Sequence, residues 1–144
     1  MVIKKIQIGK ILVEKNRLSQ TDLDTALIRQ SITGKKLGQV LVELGLVKEE
    51  ELVRLLSEQL QLPLISLQDF VFDPALIHLL PESVARRFHC IVLKKELDYI
   101  LIGMVDPQDM LAFDELSEII KQSIQIALVR ESELKDAYNI IYRH

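Results

Sequence analysis

Apolar positions in the first sixty residues recur at helical spacing, and they do so twice. Residues 7–30 (QIGKILVEKNRLSQTDLDTALIRQ) and 36–59 (KLGQVLVELGLVKEEELVRLLSEQ) align without a gap at an offset of 29 residues. Gly9/Gly38, Leu12/Leu41, Val13/Val42, Glu14/Glu43, Leu23/Leu52, Leu27/Leu56 and Gln30/Gln59 are identical pairs, and Ile8/Leu37, Ile11/Val40 and Leu18/Val47 stay apolar. The spacing predicts a first helix over about 4–15, with Ile8, Ile11 and Leu12 inward, and a second after Ser19 with a core stripe of Leu23, Ala26, Leu27 and Gln30. Asn16 stands at the C′ position of the first helix, where a left-handed residue is tolerated, and Ser19 is placed to cap the amide of Asp22. Gly34 breaks the pattern. A third helix over about 37–44 ends at Gly45, the counterpart of Asn16, and a fourth over about 48–61 opens on Glu49, Glu50 and Glu51 and closes before Pro63. Two such units are too few for a self-supporting repeat array, so they must pack on each other or on something else.

After Pro63 the periodicity shortens. LISL (64–67), IVLKKE (91–96) and YILIGMV (99–105) read as strands, with residues 94–98 as a hairpin connection between strands at about 90–94 and 99–105. Residues 74–80 and 81–87 read as short helices opened by proline. A helix over about 109–121 has Leu111, Leu116, Ile119 and Ile120 for its inner side. A strand over 124–130 and a helix over 132–142, capped by Ser132, complete the chain. The expected fold class is α+β: an N-terminal four-helix unit of two repeated helix pairs, then a small sheet covered on one face by helices. The expected division is 1–62 and 63–144.

The 144 residues, 49% hydrophobic and 27% charged with a formal charge of -3, describe a chain able to bury a real core. The acidic balance disfavours nucleic acid as a general partner. The longest apolar run, 99–105, is strand-sized, so direct membrane insertion is not expected. Lysines near the N-terminus precede no signal-like apolar stretch, which points to a cytoplasmic location. Cys90 is the single cysteine, excluding an intrachain disulfide framework or a cysteine-based zinc site.

Catalytic chemistry finds little support. Gly34-Lys35 superficially suggests a phosphate loop, but Arg29 occupies the first-glycine position and no strand precedes it. His78, His89 and His144 lack ligand spacing. Ser83, His89 and Asp98 lack a nucleophile elbow, and Glu49–Glu51 reads as a solvated helix start. The expectation is a non-enzyme with no catalytic residue, required cofactor or metal.

The repeats resemble the N-terminal domain of type II secretion and type IV pilus assembly ATPases, called MshEN in its cyclic-di-GMP-binding form. The family pattern is Arg-Leu-Gly, two apolar residues, a second glycine, two more apolar residues, spaced leucines and a terminal glutamine. The second copy supplies Leu37, Gly38, Leu41, Val42, Gly45, Leu46, Val47, Leu52, Leu56 and Gln59, with Lys36 at the arginine position. In the first, Ile8, Gly9, Leu12, Val13, Leu18, Leu23, Leu27 and Gln30 fit. Gln7, Asn16 and Arg17 depart from the pattern. Residues 62–67, 79–88 and 104–116 also look like that family's α+β half.

The resemblance implies a regulatory domain that works with a secretion or pilus ATPase motor and takes cyclic di-GMP as a possible ligand. It also implies docking on the cytoplasmic part of an inner-membrane platform protein, which would recruit the domain to that membrane. The implied ligand residues are Gln7, Ile8, Gly9, Leu12, Val13, Gln30, Lys36, Leu37, Gly38, Leu41, Val42, Gly45, Gln59 and Asp106. A twofold ligand suits twofold repeats: glycines admit backbone amides to a phosphate and aliphatic side chains cover bases. An arginine at each head would add a bidentate fork, which Lys36 and Gln7 lack. Gln30 and Gln59 can read a base edge or hold a neighbouring helix start, and Asp106 can accept from guanine or open the Asp-Pro turn. The alternative function is a ligand-free adaptor on the platform protein.

Overall fold

The structure, a computed structural model, describes residues 6–142. They form two compact units, 6–60 and 61–142.

The first unit is four helices: α1 (Ile8–Glu14), α2 (Gln20–Thr33), α3 (Leu37–Glu43) and α4 (Glu49–Leu60). Each predicted helix is present, although α1 starts at Ile8, later than the expected 4; positions 4 and 5 lie outside the described residues. The reason for the duplication is visible at the α1 and α3 C-termini. Asn16 (φ 59) and Gly45 (φ 73) are both left-handed. The amides of Asn16 and Arg17 donate to Val13 and Leu12, and those of Gly45 and Leu46 donate to the equivalent Val42 and Leu41, so one Schellman closure is used twice. Ser19 Oγ accepts from the Asp22 amide at 3.0 Å, as expected. The core is Leu12, Leu18, Leu23, Ala26, Val40, Leu41, Val47, Leu52 and Leu55. Leu27, expected in this stripe, is instead 42% exposed; Leu23 and Ala26 face inward, and position 27 falls at the edge of their arc.

The second unit contains α5 (Pro74–Ile77), α6 (Glu82–Arg87), β1 (Cys90–Lys95), β2 (Ile100–Met104), α7 (Met110–Ile120), β3 (Ile124–Leu128) and α8 (Glu131–Ile141). The three strands lie in the order β1-β2-β3, with β1 antiparallel and β3 parallel to β2. The parallel pair requires a crossover, and α7 provides it. The predicted hairpin and α+β class are thus found, but the segment 64–67 is not a strand: it makes a single bridge, Leu64 to Leu128. Leu111 was expected inside α7 but is 77% exposed, with Ala112 buried in its place. Ser132 does not cap α8; the N-cap is Arg130, and Ser132 lies in the first turn. Glu133 organises this end instead, its carboxylate accepting from the Leu67 amide at 2.9 Å.

Burial reaches both faces of the sheet, rather than the expected one. On one, Ile91, Leu93, Ala127 and Val129 join Ile77, Ala85, Leu134, Ala137 and Tyr138. On the other, Val92, Ile100, Ile102, Met104, Ile126 and Leu128 are at most 2% exposed. Gly103 is required at the centre, because a Cβ there would sit 2.7 Å from Val129 and 3.2 Å from Leu93. The Tyr138 hydroxyl lies 2.8 Å from the Ala85 carbonyl and 2.6 Å from the Cys90 carbonyl, tying α8 to the start of β1.

Candidate functional site

The heads of α1 and α3 are built alike. Gln7 and Lys36 are the N-caps, both extended in backbone, and neither side chain caps its own helix. The carbonyl of each accepts the first helical bond, from Ile11 and Val40 respectively. Both side chains are exposed. This leaves the first-turn amides of each helix outside the intrahelical ladder, as at any helix start.

The two heads are neighbours. A Cβ on Gly9 would lie 3.1 Å from Leu37 of the other repeat, so the first copy's glycine packs against the second copy's leading leucine. The glycines also have a packing role that their sequence positions did not disclose. Gly9 faces Leu23, where a Cβ would be 2.6 Å away, and Gly38 faces Leu52, at 3.0 Å. The two leucines are equivalent, each 14 positions beyond its glycine. That shared spacing is the sequence signal for a close helix–helix contact.

The remaining expected ligand residues separate by burial. Leu12 and Leu41 are 0% exposed and belong to the core, so they present no surface to a ligand in this arrangement. Gly9 is buried, while Ile8, Val13, Leu37, Gly38 and Val42 are half-buried and Gly45 is exposed at the far end of α3. Gln30 and Gln59 are half-buried, and among the described residues neither side-chain amide is hydrogen-bonded to the neighbouring helix start. Asp106 belongs to the other unit, where its carboxylate accepts from the Gln108 amide at 3.2 Å and closes the turn after β2.

Nearby cations are partly committed. Lys35 Nζ lies 3.0 Å from both carboxylate oxygens of Glu43, and Arg17 pairs with Glu51 at 3.5 Å. The Arg17–Glu51 pair joins the turn of the first repeat to α4 of the second, but both side chains are largely exposed. Arg17→Ala should therefore lower stability by less than about 1 kcal/mol in chemical denaturation.

Among the described residues no group of three or more His, Cys, Asp or Glu side chains could hold a metal, and no helix is long and apolar enough to cross a membrane. A cavity of about 390 Å³ is an open depression lined by Phe113, Ser117, Lys121, Gln122, Ser123 and Ile124, all residues of the second unit.

Comparison with known proteins follows the same architecture. The solved structure of MshE with cdg (cyclic di-GMP) superposes with a TM-score of 0.82 and 33% identity, covering 96% of this chain and all of that one. The N-terminal domain of XpsE shares the fold at a TM-score of 0.74 and 24% identity, over 92% of this chain and 95% of that one. Among curated proteins, the type IV pilus assembly ATPase PilB of Myxococcus xanthus is 29% identical over 136 residues, 94% of this chain and 24% of its own length. Bacteriophage adsorption protein B of Escherichia coli K12 is 28% identical over 88% of this chain and 17% of its own length. The chain thus spans about a quarter or less of the curated relatives it matches. The MshEN domain pattern matches residues 60–144, and with the whole-length structural likeness this places the chain in the MshEN domain family.

Proposed function

We propose that this chain is a regulatory and docking domain of a secretion or pilus-assembly ATPase system, without catalysis of its own, that senses cyclic di-GMP through its paired repeats. The observation carrying this reading is the likeness to MshE with cdg over 96% of the chain at 33% identity. The adjacent heads of α1 and α3 support it, since two equivalent glycine-opened helix starts suit a ligand with two phosphates and two guanines. Gln7, Ile8, Lys36, Leu37 and Gly38 offer the accessible surface, with Gln30 and Gln59 as polar candidates for the bases. Ligand binding would favour one conformation of the domain and bias the motor that it precedes or works beside.

Gln7 and Lys36 set the expected affinity. Gln7 supplies neither charge nor fork, and Lys36 supplies charge alone. In titration calorimetry with cyclic di-GMP, Gln7→Arg should tighten binding by about tenfold or more, the worth of a charge-assisted hydrogen bond. Lys36→Glu should weaken it by at least as much. Both positions are exposed, so melting temperatures should not move. Failure of the Gln7→Arg, Lys36→Arg double variant to give any binding heat would rule out the sensor.

A second reading is a ligand-free adaptor docking on the cytoplasmic part of an inner-membrane platform protein. The neutral Gln7 and the engagement of Lys35 by Glu43 and Arg17 by Glu51 favour it, because the first head carries no charge of its own and these two cations are already paired with carboxylates. Wild-type protein silent toward cyclic di-GMP, with binding gained only in the double variant, selects this reading.

A further inference from the structure

α2 is apolar on two opposite faces. Its inner face carries the buried Leu23 and Ala26. Its outermost face carries Thr21, Thr25, Ile28 and Ile32, with Ile28 63% and Ile32 76% exposed. Their separations of four, three and four residues are those of a heptad seam. Thr25 Oγ1 donates to the Thr21 carbonyl at 3.1 Å, so its hydroxyl is satisfied within the helix.

The second repeat is an internal control. The positions equivalent to Thr21, Thr25 and Ile28 in α4 are Glu50, Arg54 and Ser57, and Ile32 aligns with Gln61 just past its end, none of them apolar. The helix-pair fold therefore does not need the apolar residues of α2's outer face.

Charge identifies the occupant. Asp22 and Arg29 flank the seam on one side, seven residues and about 10 Å apart along the axis, too far to pair with each other. Neither side chain has an ion-pair partner among the described residues. A twofold axis through the seam brings Asp22 of each copy to Arg29 of the other. On the opposite flank the same operation sets Asp24 against Ser31.

From this self-complementarity we infer that the outer face of α2 is a homodimerisation seam on which a second copy of the chain packs antiparallel, Thr25 against Ile28 and Thr21 against Ile32. Opposed helix dipoles favour that direction. A contact made by one helix face of four residues is well below the size of stable interfaces, ~1,200 Å² or more, so the dimer is weak, with a dissociation constant of order 0.1–1 mM. The inference is independent of the cyclic-di-GMP reading, as it uses no residue of the paired heads.

Sedimentation equilibrium of the full chain up to about 1 mM tests it. Wild type should dimerise reversibly, and Ile28→Lys should weaken the dimer by about tenfold or more by burying a charge in the seam. Asp22→Lys and Arg29→Glu should each do the same, and the double exchange should restore association because it restores self-complementarity. Under mild oxidation, Thr25→Cys with Ile28→Cys should form a covalent dimer while Ile28→Cys alone does not; Cys90 is fully buried and does not compete. Circular dichroism melts check that each variant is folded. A monomer at 1 mM, no rescue by the double exchange, or cross-linking through Ile28→Cys alone would each overturn the proposal.

Discussion

Raising the pH from 9.0 towards 12 should remove up to about 4 kcal/mol of stability from the unit of residues 61–142 through Cys90 alone. Burial pushes the Cys90 thiol up from 9.0 to about 12. The native state therefore holds its proton where the unfolded chain has released it. The contribution is fully present below pH 9.0, declines as pH rises and is gone above about 12. Tyr138 is raised as well, by burial first, and Tyr142 in the same direction, so both steepen the alkaline loss. Denaturant titrations at a series of pH values should show this decline, and Cys90→Ala should flatten it whatever it does to stability at neutral pH. An unchanged slope in Cys90→Ala would mean that the thiol does not govern it.

Gly9→Ala should destabilise the helical unit by about 1–3 kcal/mol, whereas Gly38→Ala should be near neutral. A glycine-to-alanine change inside a helix ordinarily gains about 0.5–1 kcal/mol from backbone entropy. At Gly9 overpacking wins. The new Cβ would be 2.6 Å from one methyl of Leu23 and 3.4 Å from the other, with Leu37 at 3.1 Å as well, so more than one neighbour must yield at once. At Gly38 the close contact is one terminal methyl of Leu52 at 3.0 Å, the next atoms lying at 3.9 Å, and a small rotation accommodates it. Melting curves of the two variants in the absence of ligand measure the difference. Equal losses would mean that the two equivalent glycines share one constraint, against the geometry.

The features that were legible in the sequence depend on local chemistry. Asn16 and Gly45 end their helices because few other residues tolerate positive φ, and Ser19 caps because its hydroxyl reaches the Asp22 amide. What the sequence left open depends on which side of an element faces the core. Leu27 and Leu111 carry the right character for burial, but each sits beside another apolar residue, and periodicity cannot choose between adjacent stripes. The segment 64–67 has strand composition, yet it makes only one bridge to β3 and its place there is shared with the Glu133 carboxylate. Ser132 failed as a cap for a similar reason: Arg130 has the extended backbone of that position.

For the repeats, the equivalences were readable while the purpose of the glycines was only half so. Sequence suggested backbone open to a phosphate. Gly9 and Gly38 are also the places where α1 meets α2 and α3 meets α4 most closely, through Leu23 and Leu52. Two demands on one residue leave a single conserved-looking letter in each copy, and only coordinates separate them. Likewise, Lys35 reads as a spare cation until its engagement with Glu43 is seen.

The parallel pairing of β2 with β3 carries a kinetic consequence. Neighbouring helices close the first unit with short loops, whereas the sheet must wait for Ile124–Leu128 to emerge and meet Ile100–Met104 and then the chain near Pro63. Loop-closure entropy delays such distant partners. On the ribosome, the helical repeats are thus set to gain amide protection from hydrogen exchange while β3, the last strand, is still unpaired.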